Sequence, residues 1–248
     1  RNVLWIGGDG GVCYYSYRYR RIFELPQSGA LRRIYGLYED RDGVLWATSV
    51  GYGVWRIELS GSVDAPVAAV VEQVELGLRE RSRNFFFSVC EESDSTLWFC
   101  NHGVGAVHYN RHAREGRIVR FDTHRGLAVN AVTAGVCCSD GTSWFGTGCG
   151  LVCYDPAGGR TEPDYSNDPL RSGVIHGLLV DSLDNIWVGT NAGIVRYVPA
   201  TNRSVAYGAS YGLDVVEFSD GAYFYDRERG RLLFGGINGV VVISERGA

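Results

Sequence analysis

Apolar and polar positions alternate along the chain in short runs bounded by Gly, Asp or Asn, and no stretch sustains a helical period. The clearest pair of runs is Asn185-Ile186-Trp187-Val188-Gly189-Thr190-Asn191-Ala192-Gly193-Ile194-Val195-Arg196-Tyr197. It predicts two strands joined by a tight, Gly-containing turn. A Trp opens the first strand, a small residue lets its end bend, and an aromatic closes the second. The same unit returns as Leu4-Trp5-Ile6-Gly7-Gly8 to Tyr15, Leu45-Trp46-Ala47-Thr48 to Ile57, Leu97-Trp98-Phe99-Cys100 to Tyr109, and Ser143-Trp144-Phe145-Gly146-Thr147 to Tyr154. A sixth copy, Leu232-Leu233-Phe234-Gly235-Gly236 to Ile243, carries Leu in the Trp position. The anchors Trp5, Trp46, Trp98, Trp144, Trp187 and Leu233 lie 41, 52, 46, 43 and 46 residues apart. A period of that size belongs to stacked or radially repeated units.

Positions fixed relative to each anchor fill in the repeat. Three residues before it stand the turn formers Gly43, Ser95, Gly141, Asp184 and Gly230. Ten residues before it stand Gly36, Ser88, Ala134 and Gly177, each inside an apolar run; Ala222 joins them if the last repeat holds one extra residue. A small side chain recurring at one point of a strand implies close backbone approach there. Six or seven residues after the anchor comes Gly11, Gly53, Gly105, Gly150, Gly193 or Gly239, ending the second turn. A weaker strand then leads to the next repeat, at Arg18 to Phe23, Ala68 to Val74, Arg117 to Phe121 and Ser204 to Tyr207. The Val content of Val63 to Leu78 favours strand over helix.

Each repeat therefore predicts four strands of roughly four to seven residues, and the fold class is all-β: a β-propeller of four-stranded antiparallel blades. The first repeat lacks its innermost strand and the last its outermost. Six anchors thus give four complete blades and two incomplete ones, in one domain over residues 1–248. Because the sequence begins inside a strand pair, it reads as a piece of a longer chain, part of a six- or seven-bladed ring or of a larger array.

Composition narrows the function. The 248 residues are 45% apolar, with a net charge of −4 and a pI of about 5.8, which argues against a nucleic-acid binder. No apolar run is long enough to span a membrane, and no signal peptide is visible. Every basic residue is Arg, and Met is absent. Schiff-base chemistry from a side-chain amine is thereby excluded. Seven Cys occur without a CxxC pair; Cys149 and Cys153 have CxxxC spacing, but no second pair completes a zinc site.

The pattern apolar-Trp-x-Gly-Thr-x-x-Gly-apolar-x-x-Tyr after Asp-x-x-Gly, best seen at Asp181 to Tyr197 and Asp140 to Tyr154, resembles the two-component regulator propeller repeat. Gly212-Leu213 through Phe218, Gly221-Ala222-Tyr223 and Leu233 to Gly239 resemble the final propeller repeat of periplasmic sensors in hybrid two-component systems of Bacteroidetes. Thr48-Ser49 and Cys100-Asn101 depart from Gly-Thr, and Leu233 from Trp. The resemblance implies a non-catalytic, periplasmic module that responds to an oligosaccharide or other polar small ligand. Its implied partners are an immunoglobulin-like domain, a histidine kinase and a second copy in a full-length homodimer. It implies no nucleic acid, no membrane contact by this region and no cofactor.

Strand order locates candidate ligand contacts. In an up-and-down blade, the loop after the second strand and the linker into the next blade share one face. That face collects Arg32, Arg83, Asn84, His102, Asn130, His176, Asn191, Glu217 and Asn238, with Arg33 and Tyr52 beside them. Arg, Asn, His and Tyr around one rim suit a polar, hydroxyl-rich or anionic ligand, although such residues also serve as solvated turns. His102, His108 and His112 share no evident metal geometry, and no metal site is expected. For an enzyme, His176 with Glu217 and Asp220 is the nearest acid–base grouping, since all three stand at similar depth in adjacent repeats. A scaffold that binds only other protein domains is the third reading.

Overall fold

The computed structural model describes residues 2–78, 84–121, 130–161, 170, 174–214 and 217–245. Among them the regular elements are β-strands and two single 3-10 turns, Pro199–Thr201 and Ala209–Tyr211. The chain divides into two compact units, residues 1–119 and 120–248.

The first unit holds three antiparallel sheets in chain order. They are β1 (Val3–Gly8), β2 (Gly11–Ser16) and β3 (Arg21–Glu24); β4 (Ile34–Glu39), β5 (Leu45–Ser49), β6 (Gly53–Ser62) and β7 (Ala65–Gln73); and β8 (Phe86–Glu91), β9 (Thr96–Asn101), β10 (Gly105–Asn110) and β11 (Glu115–Val119). The second unit repeats the scheme. Its sheets are β12 (Val132–Cys137), β13 (Ser143–Thr147), β14 (Gly150–Asp155) and β15 (Gly159–Thr161); β16 (Ile175–Val180), β17 (Ile186–Thr190), β18 (Gly193–Val198) and β19 (Arg203–Tyr207); and β20 (Phe218–Asp226), β21 (Arg231–Gly236) and β22 (Gly239–Ser244). Among the described residues four sheets have four strands and the first and last have three, β1–β3 and β20–β22.

The anchors all fall on strands, and period-2 alternation gives each sheet two apolar faces. In unit one, Val12 and Leu25 of the first sheet meet Leu45, Ala47 and Ile57 of the second. Trp46 and Val54 then meet Phe86, Leu97, Phe99 and Tyr109 of the third. In unit two, Val136, Trp144 and Leu151 pack with Ile175, Ile186, Val188 and Tyr197, while Leu179, Trp187 and Ile194 pack with Leu232 and Phe234. Full burial of each such side chain contributes about 1.5–3 kcal/mol over exposure.

Two local devices fix this packing. The Gly that opens the strand after each second turn has positive φ in all six copies: Gly11, Gly53, Gly105, Gly150, Gly193 and Gly239. Gly36 answers the close-approach expectation, since a Cβ there would stand 2.8 Å from the backbone oxygen of Phe87 on the neighbouring sheet. The strands differ in length from the expected run. β6 and β7 have 10 and 9 residues, and β20 has 9. In the first case the hairpin continues outward past a register shift at Glu58/Leu59, where further ladder bonds form.

Each anchor indole also needs a partner for its N–H. Trp46, Trp98 and Trp187 donate to Asp40, Glu92 and Asp181, six residues earlier, at 2.8, 3.0 and 2.9 Å. Asp40 also accepts from the backbone N–H of Asp42 and Val44, and Asp181 from those of Leu183 and Asn185. One carboxylate thus closes the hairpin turn and satisfies the buried ring. Where Cys138 takes that position, Trp144 donates to Thr142 instead, at 3.2 Å.

Candidate functional site

The loop after the second strand is tied mainly to the linker that enters its own sheet. Val50 N–H donates to the Arg33 carbonyl, Gly51 N–H to that of Asn84, and His102 N–H to that of Phe85. In the second unit, Gly148 N–H donates to the Ala131 carbonyl and Ile237 N–H to that of Glu217. Four of these bonds hold the loop beside the first strand of its own sheet, and of the five only Gly51 to Asn84 reaches the linker into the following sheet.

That first strand carries a β-bulge in every sheet that has one. The register slips between Ile34 and Gly36, Phe86 and Ser88, Val132 and Ala134, Ile175 and Gly177, and Phe218 and Tyr223. The extra residue is Tyr35, Phe87, Thr133 or His176 in the first four. A bulge re-aims the side chain it inserts. The same backbone device therefore presents a different group in each repeat at the loop end.

In the sheet β16–β19 of unit two the bulged residue is His176. Its Nδ1 faces Oδ1 of Asp220 at 2.7 Å, and its Nε2 is hydrogen-bonded to Oδ1 of Asn191. The ring is mostly shielded, whereas Asp220 and Asn191 are exposed. With oxygen atoms facing both nitrogens, the protonated ring donates two hydrogen bonds and the neutral ring only one. Asp220 keeps a second carboxylate oxygen, and Asn191 an amide N–H₂, for a ligand. Three segments of two sheets thus converge on one imidazole. The neighbouring bulge is inward: Thr133 is buried and its hydroxyl donates to the Ile175 carbonyl at 2.6 Å.

In unit one the bulges carry aromatics. Tyr35 stands edge-on to Phe87 with ring centroids 5.3 Å apart, and Phe87 lies 5.7 Å from the His102 ring. Asn84 lines an open cavity of about 600 Å³ with Gln73, Glu75, Leu76 and Leu78.

The remaining predicted residues are placed separately. Arg32 is exposed and its guanidinium donates to the adjacent Leu31 carbonyl at 2.6 Å. Asn130 accepts from Phe121 N–H at 2.8 Å, and Asn238 donates to the Asp214 carbonyl at 3.0 Å, so both shape loops. Glu217 is exposed beside β20. Arg83 lies outside the described residues. His108 is a strand residue engaged with Glu92 at 2.6 Å, and no group of His, Cys, Asp and Glu among the described residues could hold a metal ion.

In the sequence His176 and Asn191 stand as separate candidates and Asp220 belongs to the acid–base grouping with His176; the structure joins the three. Loop composition does not single out Tyr35, Phe87 and Thr133. A signal was present: all of these bulged residues stand eleven positions before their anchor, next to the small residue already noted.

Comparison with known proteins agrees with this architecture. Residues 169–192 match the family described as two component regulator propeller. The extracellular domain assigned to the hybrid two-component system BT3049 from B. thetaiotaomicron is similar over 98% of this chain and 32% of that one, with TM-score 0.75 and 25% identity. The corresponding domain of BT4673 from the same organism gives 0.71 and 18%, over 99% and 32% of the two chains. PorZ, a surface component of the type-IX secretion system of Porphyromonas gingivalis, gives 0.66 and 15%, over 98% and 37%. The chain therefore spans about a third of the length of these solved structures. No curated protein sequence matches it.

Proposed function

From a chain built of two-component regulator propeller repeats, we propose a ligand-sensing module in the extracytoplasmic part of a hybrid two-component sensor. The observation that carries this reading is the His176–Asp220–Asn191 cluster. A bulge on β16 presents the imidazole, and the next sheet and the β17–β18 loop supply its partners. Carboxylate, amide and imidazole at one exposed rim suit a hydroxyl-rich ligand such as a glycan-derived oligosaccharide. The likeness to the extracellular domain of BT3049 supports the sensor role.

In this reading the sheets are a rigid frame, and the ligand acts by binding one arrangement of the full sensor better than another, shifting the equilibrium that the kinase reads. The partners are the remaining domains of the sensor, an immunoglobulin-like domain and a histidine kinase, in a homodimer whose propeller region lies in the periplasm. No helix among the described residues is long and apolar enough to cross a membrane.

A thermal-shift screen of the chain against plant, host and microbial oligosaccharides tests this. At 100-fold excess over Kd a bound ligand adds about 2.7 kcal/mol, a rise of roughly 5–11 °C in Tm. The rise should vanish in His176→Ala and Asn191→Ala. No rise with any glycan contradicts the reading. The His176–Asp220 pair also supports a second reading, a propeller lyase or hydrolase with His176 as general base. Turnover of a polysaccharide substrate, abolished by His176→Ala, would select it.

A further inference from the structure

The two nitrogens of His176 meet partners of unlike character, and one partner can reverse its own. Asp220 on β20 offers Nδ1 a carboxylate, which only accepts. Asn191, between β17 and β18, offers Nε2 an amide, which accepts through Oδ1 and donates through its N–H₂. In the structure Oδ1 faces the ring. That arrangement suits a protonated imidazole donating from both nitrogens.

Loss of one proton changes the pairing. Nδ1 keeps its hydrogen, because Asp220 has none to donate in return. The proton leaves Nε2, whose lone pair then points at Oδ1 of Asn191. Two acceptors in contact leave a shielded ring nitrogen unsatisfied. A half-turn of the Asn191 amide removes the conflict by bringing its N–H₂ to Nε2. That torsion is broad and two-fold, the residue is exposed, and its amide makes no second hydrogen bond among the described residues. The imidazole is less free. It projects from the bulge at Ile175/Gly177, where the Tyr223 ring of β20 fills the space that a Gly177 side chain would take.

We propose that the charge on His176 decides which end of the Asn191 amide is shown to a ligand. With the ring charged, the N–H₂ points outward and takes an acceptor, such as the carbonyl of an N-acetylated sugar or the carboxylate of a uronic acid. With the ring neutral, Oδ1 points outward and takes a donor. A hydroxyl, donor and acceptor both, fits either face, so selection by pH acts on groups that only accept or only donate. This rests on reading the cluster as a ligand site, but the switch itself needs no ligand.

The surroundings leave the imidazole as the group that changes charge. Among the described residues, Asp220 is the one carboxylate within ion-pair distance of the ring. Glu217, in the linker before β20, is exposed. The other elements packed on β16 bring neutral groups. On β12 the Thr133 hydroxyl is taken by the Ile175 carbonyl, and on β13 Gly146 lies against Ile175. An imidazole ordinarily changes charge between about pH 5 and 8, whereas carboxylates do so below that range and phenols above it.

Nuclear magnetic resonance of the isotope-labelled chain alone, from about pH 5 to about pH 8, tests the switch. The ring nitrogens of His176 report which of them carries hydrogen. A scalar coupling between Nε2 of His176 and the side-chain nitrogen of Asn191 crosses a hydrogen bond only when that amide is the donor. At the acid end both ring nitrogens should be protonated and the coupling absent. As the ring loses its charge, Nδ1 alone should keep its hydrogen and the coupling should appear with the same midpoint. A neutral ring protonated at Nε2, a ring that keeps one form throughout, or a coupling absent or present at both ends overturns the proposal. A chain that shows the switch but is stabilised by no glycan supports the proposal and removes the sensing reading, so the two failures are told apart.

Discussion

The guanidinium of Arg111 donates to Oδ2 of Asp40 at 2.8 Å, joining the turn after β10 to the first hairpin of the preceding sheet. Both side chains are almost fully buried, and Arg111 also reaches Glu91 at 3.1 Å. Asp40 is the carboxylate that accepts from the Trp46 indole. A single acid therefore closes its own turn, satisfies its own Trp and bonds the next sheet.

Removing one partner of that pair strips a buried charge of part of its compensation, since Arg111 keeps Glu91 and Asp40 keeps the Trp46 indole, so the cost should stay below the about 3–5 kcal/mol of a fully orphaned buried charge. Arg111→Ala and Asp40→Ala should each lower the unfolding free energy obtained from urea titration by about 1–3 kcal/mol. The double variant should cost much less than the sum of the two. Full additivity in that cycle would show that the contact carries no coupling.

Glu92 makes the fold acid-sensitive in a defined window. Burial pushes its carboxyl pKa up, but hydrogen bonds from His108, Thr96 and Trp98 outweigh burial and hold it at about 2, against an ordinary 4.5. A depressed carboxyl contributes stability that is present above the unfolded value and is lost as pH falls towards the folded one. The stability difference between the parent and Glu92→Gln should therefore be constant above about pH 5 and shrink between 4.5 and 2. Urea midpoints measured across pH 2–7 check this. A difference that does not change with pH contradicts the assignment.

The close approach at Gly36 gives a packing test. A Cβ there meets the Phe87 carbonyl at 2.8 Å and Cα of Ser88 at 3.2 Å, both backbone atoms that cannot turn aside. Gly36→Val should cost about 1–3 kcal/mol through strain between sheets. Gly8→Val meets no atom within 4 Å and should cost less. Equal losses at the two positions would argue against this packing.

The repeat was legible from the sequence because each of its parts answers a local demand. Positive φ at the second turn selects Gly, close approach selects Gly36 and Gly177, and burial selects Trp46 and Trp187. Loop composition groups His176 and Asn191 at one end of the sheets, but does not foretell their contact. That contact depends on the bulge at Ile175/Gly177, which turns His176 out of the ladder's alternation. Alternation is the assumption by which a strand is read, so a one-residue slip escapes it. The acids Asp40, Glu92 and Asp181, six residues before Trp46, Trp98 and Trp187, sit in the hairpin turns, and their bonds to the indoles are visible only with both ends placed. Asn130 and Asn238 bond loop backbone, because side-chain chemistry that suits a ligand also suits a turn.

The sensing account rests most directly on His176. Isotope-labelled chain would be titrated with the oligosaccharide panel while the imidazole Cε1–H resonances of all five histidines are followed. The account predicts that a binding glycan moves the His176 resonance, leaves His108 and His112 in place, and loses this effect in Asp220→Ala. Glycan binding that leaves His176 unmoved, or a panel in which no member moves it, would contradict the account.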